Sequence, residues 1–455
     1  MTNGSRANSM SPRDSSEHTR WNFAVIVTEA AAFMTGLAWA DPVVVLPLFI
    51  HALTSSTVLV GLVTTLQRLG YALPILPVAA ILGHRPRRLP FLRWGVFFGR
   101  LPFILFVVYL WTRGVGNATL VIAFMMIGFT CVSAGNGVVA VPWQDIIAKS
   151  IPTQLRGRFF GTMQFSAAVA TFGVGFAVRW ALGPSGPAFP ANYTLLFTLA
   201  AVFFTISTVG CAIVREPVRP VMERPESLRG IIASALPLLR QRPEFRSLVL
   251  ISVLAFGLSL TMPFYVVYAK TELHVADQMA GIYIWAAVFS GAPLSLLWGR
   301  INDRRGPRAV LRGACALVIA PPLLAVLVPA AARLAGGPFP AVERALPYLF
   351  AVVFLAGGST WGSLWMGSNN YLYELTTHEE RHRYIALLNT LAAPRALFPL
   401  AIGWVLTFLP YRIVFLLLAA LGVIAMLVSQ RMPQPSLPPP NGTDPASLDT
   451  PHPSQ

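Results

Sequence analysis

The sequence predicts an all-α polytopic membrane protein in which twelve transmembrane helices form two pseudo-symmetric six-helix bundles. Three observations predict it. The 455-residue chain is 55% hydrophobic and 11% charged, with a mean hydropathy of +0.62, whereas soluble domains average about 25% charged residues. Its apolar residues gather into segments of the length, roughly 20 residues, that a helix needs to cross a bilayer core of about 30 Å. These segments fall as six, a polar stretch, then six, and short patterns recur between the two sets.

Residues 1–20 are polar, with Arg6, Arg13 and Arg20, and the apolar run behind them is too long for the core of a cleaved signal. The first-half spans are expected at 22–49, 57–82, 90–112, 117–142, 160–182 and 193–214. Those of the second half are expected at 246–270, 279–301, 309–332, 345–368, 384–409 and 411–430. Between them, residues 215–245 carry Pro217, Pro220, Pro225, Pro237 and Pro243, which break any long helix. Within this linker Ile231, Ile232, Ala235, Leu236 and Leu239 offer one apolar face flanked by Arg229 and Arg240, which suits a short interfacial helix or an ordered polar linker equally. Residues 431–455, rich in Pro, Ser and Asp, are expected to be a disordered tail. The domains are therefore a tail at 1–20, a bundle at 21–214, the linker at 215–245, a bundle at 246–430 and the tail at 431–455.

Lys and Arg number 34 against 18 Asp and Glu, a net charge of +16. In a chain this apolar, the basic excess speaks of membrane orientation and not of nucleic acid, because short cytoplasmic loops collect Lys and Arg. Most of them fall on one side of the predicted topology, and only Arg113, Lys270, Arg333, Arg344 and Arg412 on the other. Both termini are thus expected in the cytoplasm, and the plasma (inner) membrane is the expected location. Cys131, Cys211 and Cys315 each lie in an apolar run, which supplies neither a disulfide framework nor metal-ligand spacing. No phosphate-cradling Gly-x-x-x-x-Gly-Lys loop, His-Glu-x-x-His pair or catalytic carboxylate pair is present. Neither an enzyme nor a cofactor is expected.

An offset of 225 residues lays Arg156-Gly157-Arg158-Phe159 over Arg381-His382-Arg383-Tyr384, Gly137 over Gly362, and Gln144-Asp145 over Asn369-Asn370. An offset of 221 lays Arg85-Pro86-Arg87 over Gly306-Pro307-Arg308. Each match sits in an equivalent loop or span, which is what distinguishes a duplicated bundle from a chance Arg-x-Arg.

The run Gly299-Arg300-Ile301-Asn302-Asp303-Arg304-Arg305-Gly306-Pro307-Arg308 resembles the loop motif of the major facilitator superfamily, and Arg156-Gly157-Arg158 at the entrance to span 5 is a second match. The resemblance covers residues 22–430 and implies a secondary transporter whose halves rock about a central site. It also implies a cytoplasmic gate of Gly299, Asp303, Arg304, Gly306, Arg308, Arg156 and Arg158. In that gate Asp303 latches onto the start of span 5 around Gly157 and Arg158, where a helix dipole favours an anion. The alternative is that Asp303 only neutralises Arg304 and Arg308. The first-half loop Leu82-Gly83-His84-Arg85-Pro86-Arg87-Arg88 departs from the motif by lacking the acid. There Arg85, Arg87 and Arg88 are expected to meet Glu379 and Glu380 ahead of span 11.

An ionisable side chain at mid-membrane costs about 2.5 to 3.5 kcal/mol on insertion scales and needs a partner or water. Arg68, Arg100 and Arg395 lie about ten residues into spans 2, 3 and 11, near the midplane, while Glu29 and Asp41 are the carboxylates of span 1. An Arg fork matches carboxylate, phosphate or sulfate bidentately. Arg68 and Arg395, with Gln67, Asn136 and Asn389 beside them, are the candidate solute-binding residues. Pairing within the bundle is the competing explanation for each, above all for Arg100. Glu29 and Asp41 are the candidate proton-coupling groups, Asp41 alternatively capping a helix break at Pro42. The expected function is transport of a small polar anionic or zwitterionic metabolite, coupled to a proton or solute gradient. Export of amphipathic drug-like or secondary metabolites, and a non-transporting receptor or assembly protein of the same fold, are the alternatives. The expected partners are a small-molecule solute, the lipid bilayer and, as candidates, protons, with no nucleic acid and a monomeric chain.

Overall fold

A computed structural model describes residues 12–82, 85, 87–216, 235–336, 340–377 and 380–434. Helices joined by short turns and loops make up the described residues, without strands. Eleven stretches are long and apolar enough to cross a membrane. One of them, the 58-residue helix Met279–Gly336, supplies two crossings: it turns at Gly306, whose φ of 76° and ψ of 173° lie in a region essentially reserved for glycine. Among the described residues the crossings therefore total twelve, numbered as spans 1–12.

In the first half, span 1 comprises Pro12–Trp39 and Val45–Leu53, so the helix begins inside the predicted tail. Spans 2 to 6 are Thr57–Leu82, Leu89–Arg113, Ala118–Ser150, Thr153–Ala181 and Ala191–Ile213. In the second half, span 7 comprises Pro243–Ser259 and Pro263–Thr271, and Gly306 divides spans 8 and 9. Span 10 is built from Pro340–Leu349, Ala351–Gly358 and Thr360–Leu375. Span 11 comprises Arg381–Leu391, a 3-10 turn Ala393–Leu397 and Phe398–Val405, and Tyr411–Gln430 is span 12. A short helix Ala235–Gln241 precedes span 7. Ile231, Ile232, the rest of the linker and the C-terminal tail beyond 434 lie outside the described residues.

The breaks follow from local chemistry. Pro42 disfavours helix at Asp41, and the Asp41 carboxylate accepts hydrogen bonds from the Val43 and Val44 N–H groups at 2.9 and 2.7 Å, capping the resumed helix. In span 11, Pro399 lacks the N–H that would bond the Arg395 carbonyl, so the chain passes through the 3-10 turn. Asn117 caps span 4 through its side chain, which accepts from Leu120 N–H.

Span 3 shows how the bundle sits in lipid. Leu92, Val96, Gly99, Phe103, Phe106 and Leu110 are buried. On the other face Trp94, Phe98, Leu105 and Trp111 are all more than half exposed. An apolar stripe packed on one side and bare on the other is what a hydrocarbon solvent allows. Phe49, Phe103, Phe106, Phe129, Phe197 and Phe204 knit spans 1, 3, 4 and 6 together. Close backbone approach does the rest. A Cβ on Gly135 would meet the Gly95 carbonyl and Gly99 Cα of span 3, and one on Gly358 would strike the Ala287 carbonyl of span 8.

Candidate functional site

Arg68 stands half-buried on span 2, with its guanidinium carbon 4.5 Å from the centroid of the Trp361 ring in span 10. Arg395 projects from the 3-10 turn of span 11, its guanidinium carbon 4.9 Å from the Phe256 ring of span 7. Phe256 and Trp361 meet edge to face, their centroids 5.0 Å apart. A cation–ring–ring–cation row thus begins in the first half and ends in the second, at mid-depth between the bundles. The negative face of each ring attracts the cation above it, most strongly where water is excluded. Rings do not neutralise a charge, however, and among the described residues no carboxylate lies within 4.0 Å of either guanidinium. The Arg68 Nε and the neighbouring Gln67 Oε1 are buried atoms without a hydrogen-bond partner.

Arg100 has a different environment. It is 3% exposed, donates to the Phe204 carbonyl and Thr208 Oγ1 at 2.9 and 3.0 Å, and lies 4.0 Å from Glu29. Glu29 accepts from Ser207 Oγ at 2.6 Å and from Trp143 Nε1 at 3.1 Å. This network stitches spans 1, 3, 4 and 6 within one half. Of the five predicted solute contacts, Arg68 and Arg395 come together around Trp361 and Phe256, Gln67 is half-buried next to Arg68 in the chain, Asn136 is half-buried between Gly135 and Gly137 of span 4, and Asn389 is exposed on span 11.

The halves meet at the end of the molecule remote from the termini. Thr57 Oγ1 donates to the Gly403 carbonyl at 2.8 Å, and Leu400 N–H donates to Thr65 Oγ1 at 3.2 Å, joining span 2 to span 11. A Cβ on Gly61 would collide with the Pro399 carbonyl, so only glycine admits this approach. On the other flank Trp285 of span 8 donates from Nε1 to the Phe172 carbonyl of span 5 at 2.8 Å and packs against Phe172 and Phe176. A Cβ on Gly281 would strike the Gly175 carbonyl there.

The end that carries the termini is different. Asp303 and Arg304 are exposed, as are Gly157 and Arg158, and open space adjoins Gly157, Gly161 and Gly299. Asp303 forms no ion pair among the described residues. Arg156 folds back on its own half, donating to the Ile151 and Ala148 carbonyls. Arg308 is half-buried beyond the Gly306 turn.

Arg88, one of the first-half arginines expected to meet Glu379 and Glu380, is held within its own half in this conformation. Its Nε lies 3.4 Å from Asp145, which also pairs with Lys149 at 2.6 Å, and the backbone N–H groups of Arg88 and Leu89 donate to the Glu216 carboxylate at 2.8 to 2.9 Å. Glu216, with a side chain 4% exposed, comes from the first residues of the linker and caps span 3. The acid absent from the loop is thus supplied from elsewhere in the same half. Glu379 lies outside the described residues, and Glu380 sits at the start of the span 11 helix.

Phe256, Tyr71 and Glu216 were not predicted. Tyr71, 45% exposed one turn from Arg68, was available from i, i+3 spacing alone. Phe256 is one of 29 phenylalanines and carries no sequence mark of its place.

Among solved structures the chain is similar to the nucleoside transporter NupG, at a TM-score of 0.63 and 11% identity, covering 91% of this chain and 98% of that one. It is similar also to a bacterial homologue of the iron transporter ferroportin in its inward-facing state, at 0.62 and 15% identity over 90% and 98% of the two chains. A D-xylose–proton symporter follows at 0.60 and 14% identity, again over 90% and 98%. At such identities the likeness shows the fold alone. None of the curated proteins matches the sequence. The sequence profile of the Major Facilitator Superfamily, however, matches residues 29–392 and 248–451. With twelve crossings in two halves and a profile match over most of its length, the chain belongs to the Major Facilitator Superfamily of membrane transporters.

Proposed function

We propose that this protein is a secondary transporter that carries a small polar anionic solute by alternating access, the solute held between Arg68 and Arg395. The observation that carries the proposal is the row Arg68, Trp361, Phe256, Arg395, which places two cations without carboxylate partners at the interface between the halves. A bare cation in that position costs free energy in every empty carrier, and an anionic solute recovers it through bidentate hydrogen bonds. Gln67, with its free oxygen, adds an acceptor for a solute hydroxyl or ammonium. The closed contacts at Gly61 and Trp285, together with the open space at Gly157 and Gly299, support a conformation open towards the end that bears the termini. The positive-inside bias supports placing that end in the cytoplasm, in a plasma (inner) membrane.

The test is a thermal-shift series on the purified chain with inorganic phosphate, sulfate, succinate, glutamate and benzoate, followed by tracer flux in proteoliposomes. At least one anion raises the unfolding temperature of the wild type, and Arg68→Ala and Arg395→Ala abolish that rise. Retained transport of an anion by Arg395→Ala refutes the role given to the fork. The half-exposed faces of Trp361 and Tyr71 beside Arg68 favour one second reading, export of an amphipathic compound. It is distinguished by an uncharged aromatic solute that binds equally well after both arginines are removed.

A further inference from the structure

Span 10 carries four glycines, and packing accounts for three of them. A Cβ on Gly357 would meet Met262 of span 7, one on Gly358 would strike Ala287 and Ser290 of span 8, and one on Gly367 would press on Leu311 of span 9. Gly362 is the exception. It lies within the helix Thr360–Leu375, where glycine is a weaker helix former than alanine, yet a Cβ there would find no atom within 4 Å.

The repeat sharpens the contrast. In the first half the equivalent Gly137 brings span 4 against span 2, since a Cβ on it would collide with the Tyr71 carbonyl. In the second half, spans 8 and 10 touch at Ala287 and Gly358 and then part. One turn further along span 8, a Cβ on Gly291 would lie 3.8 Å from the Gly358 carbonyl, and at Gly362 the space is open. The result is a crevice beside span 10 that widens from Gly358 towards the end bearing the termini.

Its rim is aromatic. Trp361 and Trp365, one turn apart, share a face of span 10, and the Arg68 guanidinium of the opposite half lies over the Trp361 ring. That face therefore looks onto the interface between the bundles and not onto lipid. Trp365 is 61% exposed and Trp361 37%, so both present bare ring surface next to the space at Gly362. Open indole faces beside two cations without carboxylate partners suit a ligand that carries both kinds of surface, a negative end and a flat apolar body. Phosphate or sulfate would satisfy the guanidiniums and leave the rings wet. An uncharged arene would do the reverse.

We propose that the crevice at Gly362 receives the planar apolar body of the solute, and that the protein carries aromatic carboxylates, with the carboxylate at Arg68 and Arg395 and the ring against Trp361 and Trp365. The inference rests on the anion-binding role given to these arginines above and narrows it to a substrate class. Gly362 is then a specificity-determining residue, because its missing side chain is the room that the ring occupies.

The experiment titrates the full chain in detergent micelles with naphthoate, acetate and naphthol, reading each affinity from the shift in unfolding temperature. Naphthoate and acetate carry the same charge, so the ratio of their affinities reports the crevice, whereas naphthol carries the ring alone. The wild type is expected to prefer naphthoate over acetate by at least about tenfold, the discrimination an apolar pocket achieves for a single methylene. Gly362→Leu fills the space and lowers that preference by about tenfold. Trp365→Ala removes one wall and lowers it several-fold; its largely exposed side chain makes it the deciding variant should the leucine chain fail to fold. A wild type without the preference overturns the inference, as does a preference that Trp365→Ala leaves intact. A leucine variant that weakens both anions alike also overturns it, since that result assigns Gly362 to the closing of the halves. In each of these cases, acetate or phosphate shifts that vanish on removing either arginine keep the anion-binding role standing. Naphthol binding as tightly as naphthoate, unchanged by Arg68→Ala and Arg395→Ala, removes that role as well.

Discussion

Glu29 decides whether the first half contains a titrating group or a structural ion pair, and Glu29→Gln tests it. The change keeps volume and keeps an oxygen to accept from Ser207 and Trp143, so it removes charge and little else. Breaking a buried pair by removing one partner costs about 3–5 kcal/mol. The separation from Arg100 is 4.0 Å, and Arg100 retains its bonds to Phe204 and Thr208. These place the expected loss near the lower limit, at about 3 kcal/mol. Arg100→Met should cost a similar amount, because it leaves the carboxylate facing neutral donors only. If the two groups act as a pair, the double variant loses less than the sum of the singles, by about 1–2 kcal/mol. Denaturant titration in mixed micelles, followed by tryptophan fluorescence, gives all four free energies. Additivity within about 0.5 kcal/mol would refute the pairing and return Glu29 to the list of groups free to carry a proton.

Gly61→Ala pushes against the Pro399 carbonyl and should part spans 2 and 11, speeding maleimide labelling of a cysteine at Leu400 several-fold over the same cysteine in the parent chain. Trp285→Ala forfeits the Phe172 hydrogen bond and the stacking on Phe172 and Phe176. A loss of roughly 2 kcal/mol is expected for a half-buried ring, with Trp285→Phe falling between it and wild type in the same titration. Glu216→Gln weakens the cap on span 3 and leaves Lys149 and Arg88 with Asp145 alone, an expected cost of about 1–2 kcal/mol read as a lower thermal midpoint. Gly306→Ala forces a side chain into a backbone region essentially closed to it and should cost about 1–3 kcal/mol by denaturant titration.

Much of this architecture was legible because lipid imposes a crude rule. A span must be apolar along its length, so every charge inside one stands out, and Arg68, Arg100, Arg395, Glu29 and Asp41 were visible as exceptions. The turn at Gly306 was visible too, because a Gly-Pro pair between two apolar runs has few other uses. What could not be read was which exception answers which. Arg100 and Glu29 are on different spans, and their pairing depends on how spans 1, 3 and 6 pack, a matter of three-dimensional proximity that no spacing encodes. The Arg68–Trp361 contact joins residues from opposite halves, and any of the 11 tryptophans was a formal candidate. Span 1 was expected as one segment from 22 to 49, yet its helix begins at Pro12 and breaks after Trp39. The hydropathy of the run conceals that break, and only the Asp41-Pro42 pair marks it.

The repeat places Asp145 and Asn370 at one address in the two bundles, and the structure uses that address differently. In the first bundle it anchors an ionic knot with Arg88 and Lys149; in the second, Asn370 meets Asn302 through neutral amides at 3.1 Å. Dissolved salt screens charges and leaves amides indifferent. The two bundles therefore tie the same repeat position in different ways, one through a partly sheltered cluster of charges and the other through a pair of side chains that carry none.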